Sequence, residues 1–180
     1  MKLTTKRLIL RDITRKDTKD IAENANNKEV GYYTEAIPYP YSLKDAKWFV
    51  NKCLKEQKEK QRKNYDFGIA LNTNNRIIGV ISLDSVDLLN KKATMGYWLG
   101  KKYRKQGIVS EAEKVVLNFG FNKLKLNKIK GEAVITNKAS NSLFKKFGFR
   151  KIGIEKKELI KKNEKLDAYM YELLKEEWKK

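Results

Sequence analysis

The run Tyr97-Trp98-Leu99-Gly100-Lys101-Lys102-Tyr103-Arg104-Lys105-Gln106-Gly107-Ile108-Val109-Ser110 holds the residues best placed to do chemistry. A β-like segment passes through a basic, glycine-containing turn into a helical segment. Such a junction offers unpaired backbone N–H groups and the positive end of a helix dipole to whatever lies in front. Its natural guest is an anion, phosphate foremost. Lys101, Lys102, Arg104 and Lys105 bring positive charge to the same turn. Two other phosphate-binding patterns are absent: no G-x-x-x-x-G-K-[ST] occurs, and no G-x-G-x-x-G.

A second segment, Asn137 to Phe149, reads as a helix with both ends marked. Asn137 is a favoured N-cap. Ser140, Leu143, Phe144 and Phe147 share one face, and Gly148 followed by Phe149 fits a glycine C-cap with its apolar contact. A strand-like stretch, Lys128–Ile135, separates the two segments.

Arg104-x-x-Gly107-x-Val109 resembles the pyrophosphate-binding signature [QR]-x-x-G-x-[GA] of the GNAT acetyltransferases, with Val109 departing from the small residue usual there. Asn137-x-x-Ser140, ending in Lys146-Phe147-Gly148-Phe149, resembles a second helix of that family. Thr4-Thr5-Lys6-Arg7-Leu8-Ile9-Leu10-Arg11 with Asp17 resembles the opening of its ribosomal-protein N-acetyltransferase (Rim-type) branch. Trp48 and the closing Asp167–Leu174 with Trp178 do likewise, so the resemblance spans nearly the whole chain.

The composition bounds the rest. One N-acetyltransferase domain over residues 1–180 is expected, large enough to bury a core. A content of 41% hydrophobic and 35% charged residues suits a globular protein. No apolar run approaches membrane-spanning length, and Leu8-Ile9-Leu10 is too short for a signal peptide. A cytoplasmic location is therefore expected, with no membrane partner. The single cysteine, Cys53, forms no internal disulfide and reads as a small buried hydrophobe. The absence of histidine removes Ser-His-Asp and Cys-His catalysis; no metal is expected. The net charge of +19 admits an acidic partner such as a ribosome or RNA. It also admits a merely lysine-rich surface, which is the preferred reading.

Periodicity places a strand at Leu8–Ile13, a helix at Asp17–Asn24 and a tyrosine-rich loop at Gly31–Ser42. Ser42 and Asp45 form a capping pair opening a long helix. Strands follow at Tyr65–Leu71, Ile77–Leu83 and Lys92–Leu99. Ser110-x-x-Glu113 fits a capping box for the helix carrying Ala112, Val115, Val116 and Phe119. A hairpin of Arg150–Glu158 and Asp167–Leu174 closes the chain. This order suits a mixed α/β (α+β) fold. The resemblance implies a mostly antiparallel central sheet with helices on both faces. It also implies a splay between the fourth and fifth strands, assigned to Lys92–Leu99 and Lys128–Ile135.

The activity implied is acetyl transfer from acetyl-CoA to a primary amine, foremost a protein N-terminus, directly within a ternary complex. On the resemblance, Arg104, Lys105, Gln106, Gly107, Ile108, Val109 and Ser110 hold the pyrophosphate. The backbone near Trp98 and Leu99 pairs with the pantetheine arm, and Asn137, Asn141 and Phe144 complete the cofactor-binding set. Many members protonate the leaving thiolate with a tyrosine where this chain has Phe144; Ser140 is the substitute donor. The general base is left among Glu132, Glu158 and water, since Thr94 stands where the branch often carries glutamate. Tyr32, Tyr33, Tyr39 and Tyr41 are expected to flank the acceptor. Alternatives are a small-amine or aminoglycoside acetyltransferase, or a non-catalytic coenzyme A- or RNA-binding module. Monomer and homodimer are both admissible.

Overall fold

The computed structural model describes residues 1–161 and 164–178. Its strands are β1 (Lys2–Thr4), β2 (Leu8–Asp12), β3 (Tyr65–Leu71), β4 (Ile77–Asp87), β5 (Lys92–Leu99), β6 (Lys128–Val134), β7 (Arg150–Lys161) and β8 (Glu164–Leu174). Its helices are α1 (Thr18–Ala25), α2 (Lys28–Tyr33), α3 (Leu43–Glu56), α4 (Ile108–Asn118) and α5 (Lys138–Lys146). The strands form one sheet in the order β1-β2-β3-β4-β5-β6-β8-β7. Every described neighbour pair is antiparallel except β5 and β6, which run parallel.

Helices cover both faces, and the alternation of β3 shows why. Tyr65, Phe67 and Ile69 join one apolar cluster with Ile108, Ala112 and Val116 of α4 and Phe144 of α5. Ala70 faces the opposite cluster of Ile21, Ala25, Ala46, Val50 and Cys53 from α1 and α3. Each fully buried aliphatic or aromatic side chain of this kind contributes about 1.5–3 kcal/mol.

The Ser42–Asp45 capping box opens α3 as expected, with the Ser42 N–H donating to Asp45 Oδ2 at 2.7 Å. Asn137 caps α5 by accepting the Ser140 N–H at 3.2 Å. Gly148 ends that helix at φ 83°, and the Phe149 N–H returns to the Phe144 carbonyl at 2.9 Å. The N-terminal signature is a set of ties: Arg11 grips Asp17 through two 2.8 Å bonds.

Three expectations change. Gly31–Ser42 is not loop throughout, because Asn27 caps the short α2, accepting from the Glu29 and Val30 N–H groups. Lys2–Thr4 adds an unforeseen first strand, so the strands that part are the fifth and sixth. The helix α4 begins at Ile108 on Gly107, and Ser110 with Glu113 makes no capping box.

The parting itself is explicit in the register. Pairing of β5 with β6 runs from Lys92↔Lys128 to Met95↔Gly131 and stops. Gly96–Leu99 continue along β4 alone, while Glu132–Val134 continue along β8. An aromatic wedge stands at the fork. The Phe144 ring lies so close over Gly131 that a Cβ there would sit 2.3 Å from it, and it is 6.4 Å from the Tyr97 ring. Glycine is required at 131 because any side chain would push the wedge out.

Candidate active site

The turn between β5 and α4 is built from backbone. Lys105 and Gly107 both take left-handed conformations, at φ 61° and 73°. Gly107 is the N-cap of α4 and has no side chain to spend on it, and the first intrahelical bond is Glu111 N–H to the Gly107 carbonyl at 3.0 Å. The N–H groups of Ile108, Val109 and Ser110 therefore face the approach to the helix without a side-chain cap. A Cβ on Gly107 would meet only Arg7 Nη2, at 3.7 Å. Space thus remains for a bulky anion. The Val109 side chain packs on the main core, so the departure from the family pattern leaves its N–H at the turn.

Arg7, unnoticed as a site residue in the sequence, clamps this turn. Its Nη1 donates to the Gln106 carbonyl at 2.9 Å, and its Nε to Glu111 at 2.7 Å. Burial alone would raise the Glu111 carboxyl; bonds from the Thr5 hydroxyl and from Arg7 hold it below its ordinary range. The four cations expected at the turn are not equivalent. Arg104 points away, donating to the Leu99 carbonyl at 3.2 Å and pairing with Glu29 of α2. Lys102 lies 3.7 Å from Glu23. Ser110 does not cap α4 either, because its hydroxyl accepts from Lys146 Nζ at 3.0 Å. Gln106 donates back to the Lys102 carbonyl.

Trp98 and Leu99 lie on the half of β5 that β6 leaves unpaired, Trp98 toward α1 and α3 and Leu99 toward α4. Behind them, α5 sets Ser140 at the fork. The Tyr97 hydroxyl lies beside the Ser140 hydroxyl but closes no regular hydrogen bond with it, and burial pushes that phenol up. Asn141 and Phe144 are frame rather than surface. Asn141 Nδ2 donates to the carbonyls of Val134, Ile135 and Asn137 and its Oδ1 accepts from Tyr171, while Phe144 stacks on Tyr171 at 4.8 Å. Any influence of these two on a cofactor passes through the shape of the fork.

Across the fork the surface changes sign. Glu132 of β6 and Glu158 of β7, named separately as candidate bases, come together with Glu155, their carboxylate oxygens within 4.8 Å of one another. Burial and then the neighbouring carboxylates of Glu158, Glu35 and Glu155 raise Glu132 above its ordinary range. Glu158 is raised for similar reasons, Glu155 and Glu35 among them. Lys161 Nζ donates to the Thr34 carbonyl and ties β7 to the end of α2, and Tyr32 donates to Glu164 at 2.7 Å. Tyr32 and Tyr33 thus border this side, packed edge to face. Tyr41 does not: it is buried in the core beneath α3.

An extended thioester cofactor bearing a pyrophosphate fits this arrangement. The uncapped start of α4 suits its phosphates, the free edge at Gly96–Leu99 suits its amide-bearing arm, and the orphaned Tyr97 hydroxyl lies at the fork. These features and the fold define a GNAT acetyltransferase. The chain belongs to that family: residues 7–150 match its acetyltransferase (GNAT) domain. It is 32% identical over 179 residues to the uncharacterized N-acetyltransferase YnaD of Bacillus subtilis (strain 168), covering 99% of each. In fold it is similar to the ribosomal-protein-S5-alanine acetyltransferase from Vibrio fischeri, with a TM-score of 0.85 at 20% identity over 100% of both chains. The spermidine N-acetyltransferase from Vibrio cholerae, solved with CoA and spermine, gives a TM-score of 0.81 at 20% identity, over 96% of this chain and 98% of that one. No helix among the described residues is long and apolar enough to cross a membrane.

Proposed function

We propose that the protein moves an acetyl group from acetyl-CoA directly to a protein N-terminal amine, within a ternary complex. The observation that carries this reading is the forked β5–β6 pair, with backbone N–H donors on one rim and carboxylates on the other. Acetyl-CoA would supply an activated acyl group. The N–H groups of Gly107 to Ser110 would take its pyrophosphate. The backbone of Gly96–Leu99 would align its arm and hold the thioester carbonyl, where preorganised donors count most.

An ammonium is no nucleophile and must lose a proton before attack. Glu132 and Glu158, raised above their ordinary range, are suited to take it directly or through water. Ser140, beside the fork, would give the leaving thiolate its proton in place of the hydroxyl that Phe144 lacks. The reading takes residues 1–180 as one domain and includes a cytoplasmic location, in keeping with the free Cys53 thiol. A ribosomal protein is the first acceptor to try, given the activity for which the Vibrio fischeri neighbour is named.

One observation favours a second acceptor class. Three converging carboxylates suit a small polyamine, the substrate in the name of the Vibrio cholerae neighbour. The net charge of +19 works against it, because a strongly basic surface repels polycations.

Calorimetry with acetyl-CoA, followed by thiol release with N-terminal peptides and with spermidine, separates these readings. Binding with release on peptides is expected. Release on spermidine alone would substitute the second class, and binding without release would leave a coenzyme A-binding module. In the same assay Ser140→Ala should lower kcat by about 10- to 100-fold while leaving acetyl-CoA affinity unchanged.

A further inference from the structure

The sheet face under α1 and α3 is apolar along much of its length, but beside the C-terminal half of α3 it turns polar. Asp66 of β3 and Ser82 of β4 stand opposite one another in register, 6% and 7% exposed, and the half-buried Asp84 follows two residues on. Among the described residues, the one hydrogen bond to the Asp66 carboxylate comes from the Cys53 thiol of α3, at 3.7 Å. Lys52 of the same helix attracts both carboxylates, yet its Nζ lies against Glu56, at 3.8 Å. Two carboxylates sharing a space of this kind without a bonded cation cost more than apolar residues there would. Stability therefore gives no reason for the pair.

Their position gives one. The Ser82 hydroxyl donates to Asp84 Oδ2 at 2.6 Å. A Cβ on Gly96 would lie 3.3 Å from that hydroxyl and 3.4 Å from that carboxylate oxygen. Asp84 thus leans from β4 across the bare backbone of β5 at Gly96. Gly96 is the first residue of β5 beyond the pairing with β6, which ends at Met95, so the carboxylate stands at the mouth of the fork. It stands on the α1–α3 face, to which Val80 and Trp98, two residues from Ser82 and Gly96, also belong. Phe144 joins the cluster on the opposite face, so α5, which carries Ser140, lies there. A carboxylate on one side of the fork and a hydroxyl on the other suit attack from one face and departure toward the other. Burial raises the Asp84 carboxyl above its ordinary range, against the Ser82 bond and Lys52 and with help from Glu56. Burial, and then the charge of Asp84, lift Asp66 to about 6. Asp84 is accordingly a stronger base than a free aspartate.

We propose that Asp84 is the base that takes the first proton from the acceptor ammonium at the mouth of the fork, with Ser82 fixing its carboxylate and Asp66 adding negative charge beside it. The inference deepens the acetyl-transfer reading, on which it rests, and leaves Glu132 and Glu158 to draw the acceptor in from the far rim. One N–H bond of the ammonium breaks with its electron pair left on nitrogen, and the proton moves to a carboxylate oxygen of Asp84. The freed pair forms the C–N bond to the thioester carbon, and the C–S bond breaks with its pair on sulfur. Sulfur takes the Ser140 proton, which the second proton shed by nitrogen replaces through water. Asp84 passes its own proton to solvent, so one proton is released for each acetyl group moved.

The test uses the full chain with Asp84→Asn, which keeps an oxygen for the Ser82 hydroxyl, and with Asp84→Ala. Both should bind acetyl-CoA within about twofold of wild type by calorimetry, which also establishes that they fold. With a peptide acceptor at pH 6, each should lower kcat by about 100-fold. The loss should shrink below about tenfold at pH 9, because a peptide α-amine, with a pKa of about 8, then sheds its proton unaided. A wild-type kcat in both variants would overturn the proposal. So would a loss of equal size at pH 6 and pH 9, or a loss of acetyl-CoA affinity as large as that of kcat. A fall of kcat in Glu132→Gln with none in Asp84→Asn would return the base to the β6 rim. If the wild type itself releases no thiol with any acceptor, the acetyl-transfer reading falls and the role of Asp84 with it.

Discussion

On the β5–α4 rim the groups offered to a ligand are backbone N–H groups, gathered within the few residues from Gly107 to Ser110. On the β6–β7 rim they are the carboxylates of Glu132, Glu155 and Glu158, brought together from two strands of the sheet. The first rim is held by its conformation, with Gly107 left-handed and Arg7 bridging Gln106 to Glu111. The second is held by tertiary contact, with Lys161 anchored on the Thr34 carbonyl. Within a chain of net charge +19, folding completes this acidic patch by setting Glu132 beside Glu155 and Glu158. The lesson is that a rim made of backbone depends on one glycine and little on its charges, whereas a rim made of side chains depends on each.

That contrast can be broken most sharply at Gly107. Gly107→Glu forces a side chain into the left-handed region and sets a carboxylate before the helix start. Acetyl-CoA affinity in calorimetry should drop by at least about 100-fold, near 3 kcal/mol. An unchanged affinity would remove the phosphate assignment. Next in size, Glu132→Gln with Glu158→Gln should raise the acceptor KM by about tenfold with acetyl-CoA affinity unaltered. Both carboxyls are raised above their ordinary range, so they lose their charge at a higher pH than a free glutamate does. The wild-type kcat/KM should accordingly begin to fall earlier on acidification, and steady-state pH profiles of the double variant should lack that early limb. The smallest effect belongs to Lys101→Ala and Lys105→Ala, about two- to threefold each in acetyl-CoA affinity and fading with added salt. A tenfold loss from either lysine would mean that charge, not backbone, carries the first rim.

The same contrast explains what could be read from residue order. The β5–α4 turn and the α5 caps are local, so glycine, asparagine and spacing disclosed them, and the strands Tyr65–Leu71 and Lys92–Leu99 alternate cleanly enough to be bounded. The role of Arg104 was hidden because Glu29, which neutralises it, lies on α2, a helix too short to show a period. Ser110 and Glu113 matched a capping box by type, but Gly107 had already started the helix, and burial of Glu113 depends on where α5 and β5 pack. Arg7 stood in a motif without a partner, since Glu111 is 104 residues away. Asn141 and Phe144 were attached to the cofactor by resemblance; only the packed structure reveals that Tyr171 and Gly131 occupy them.

The wedge of Phe144 on Gly131 has a consequence for how the molecule keeps its company. Most sheets expose unpaired peptide groups along their outer strands, where any passing extended chain can add itself and begin an aggregate. Here a further row of unpaired peptide groups, Gly96–Leu99, lies in the middle of the sheet between α4 and α5. Flanked by strands on both sides, this row is less open to an incoming protein strand than an outer edge is. A slender arm with widely spaced amides suits such a gap better, so under the proposed reading it would take acetyl-CoA rather than another chain.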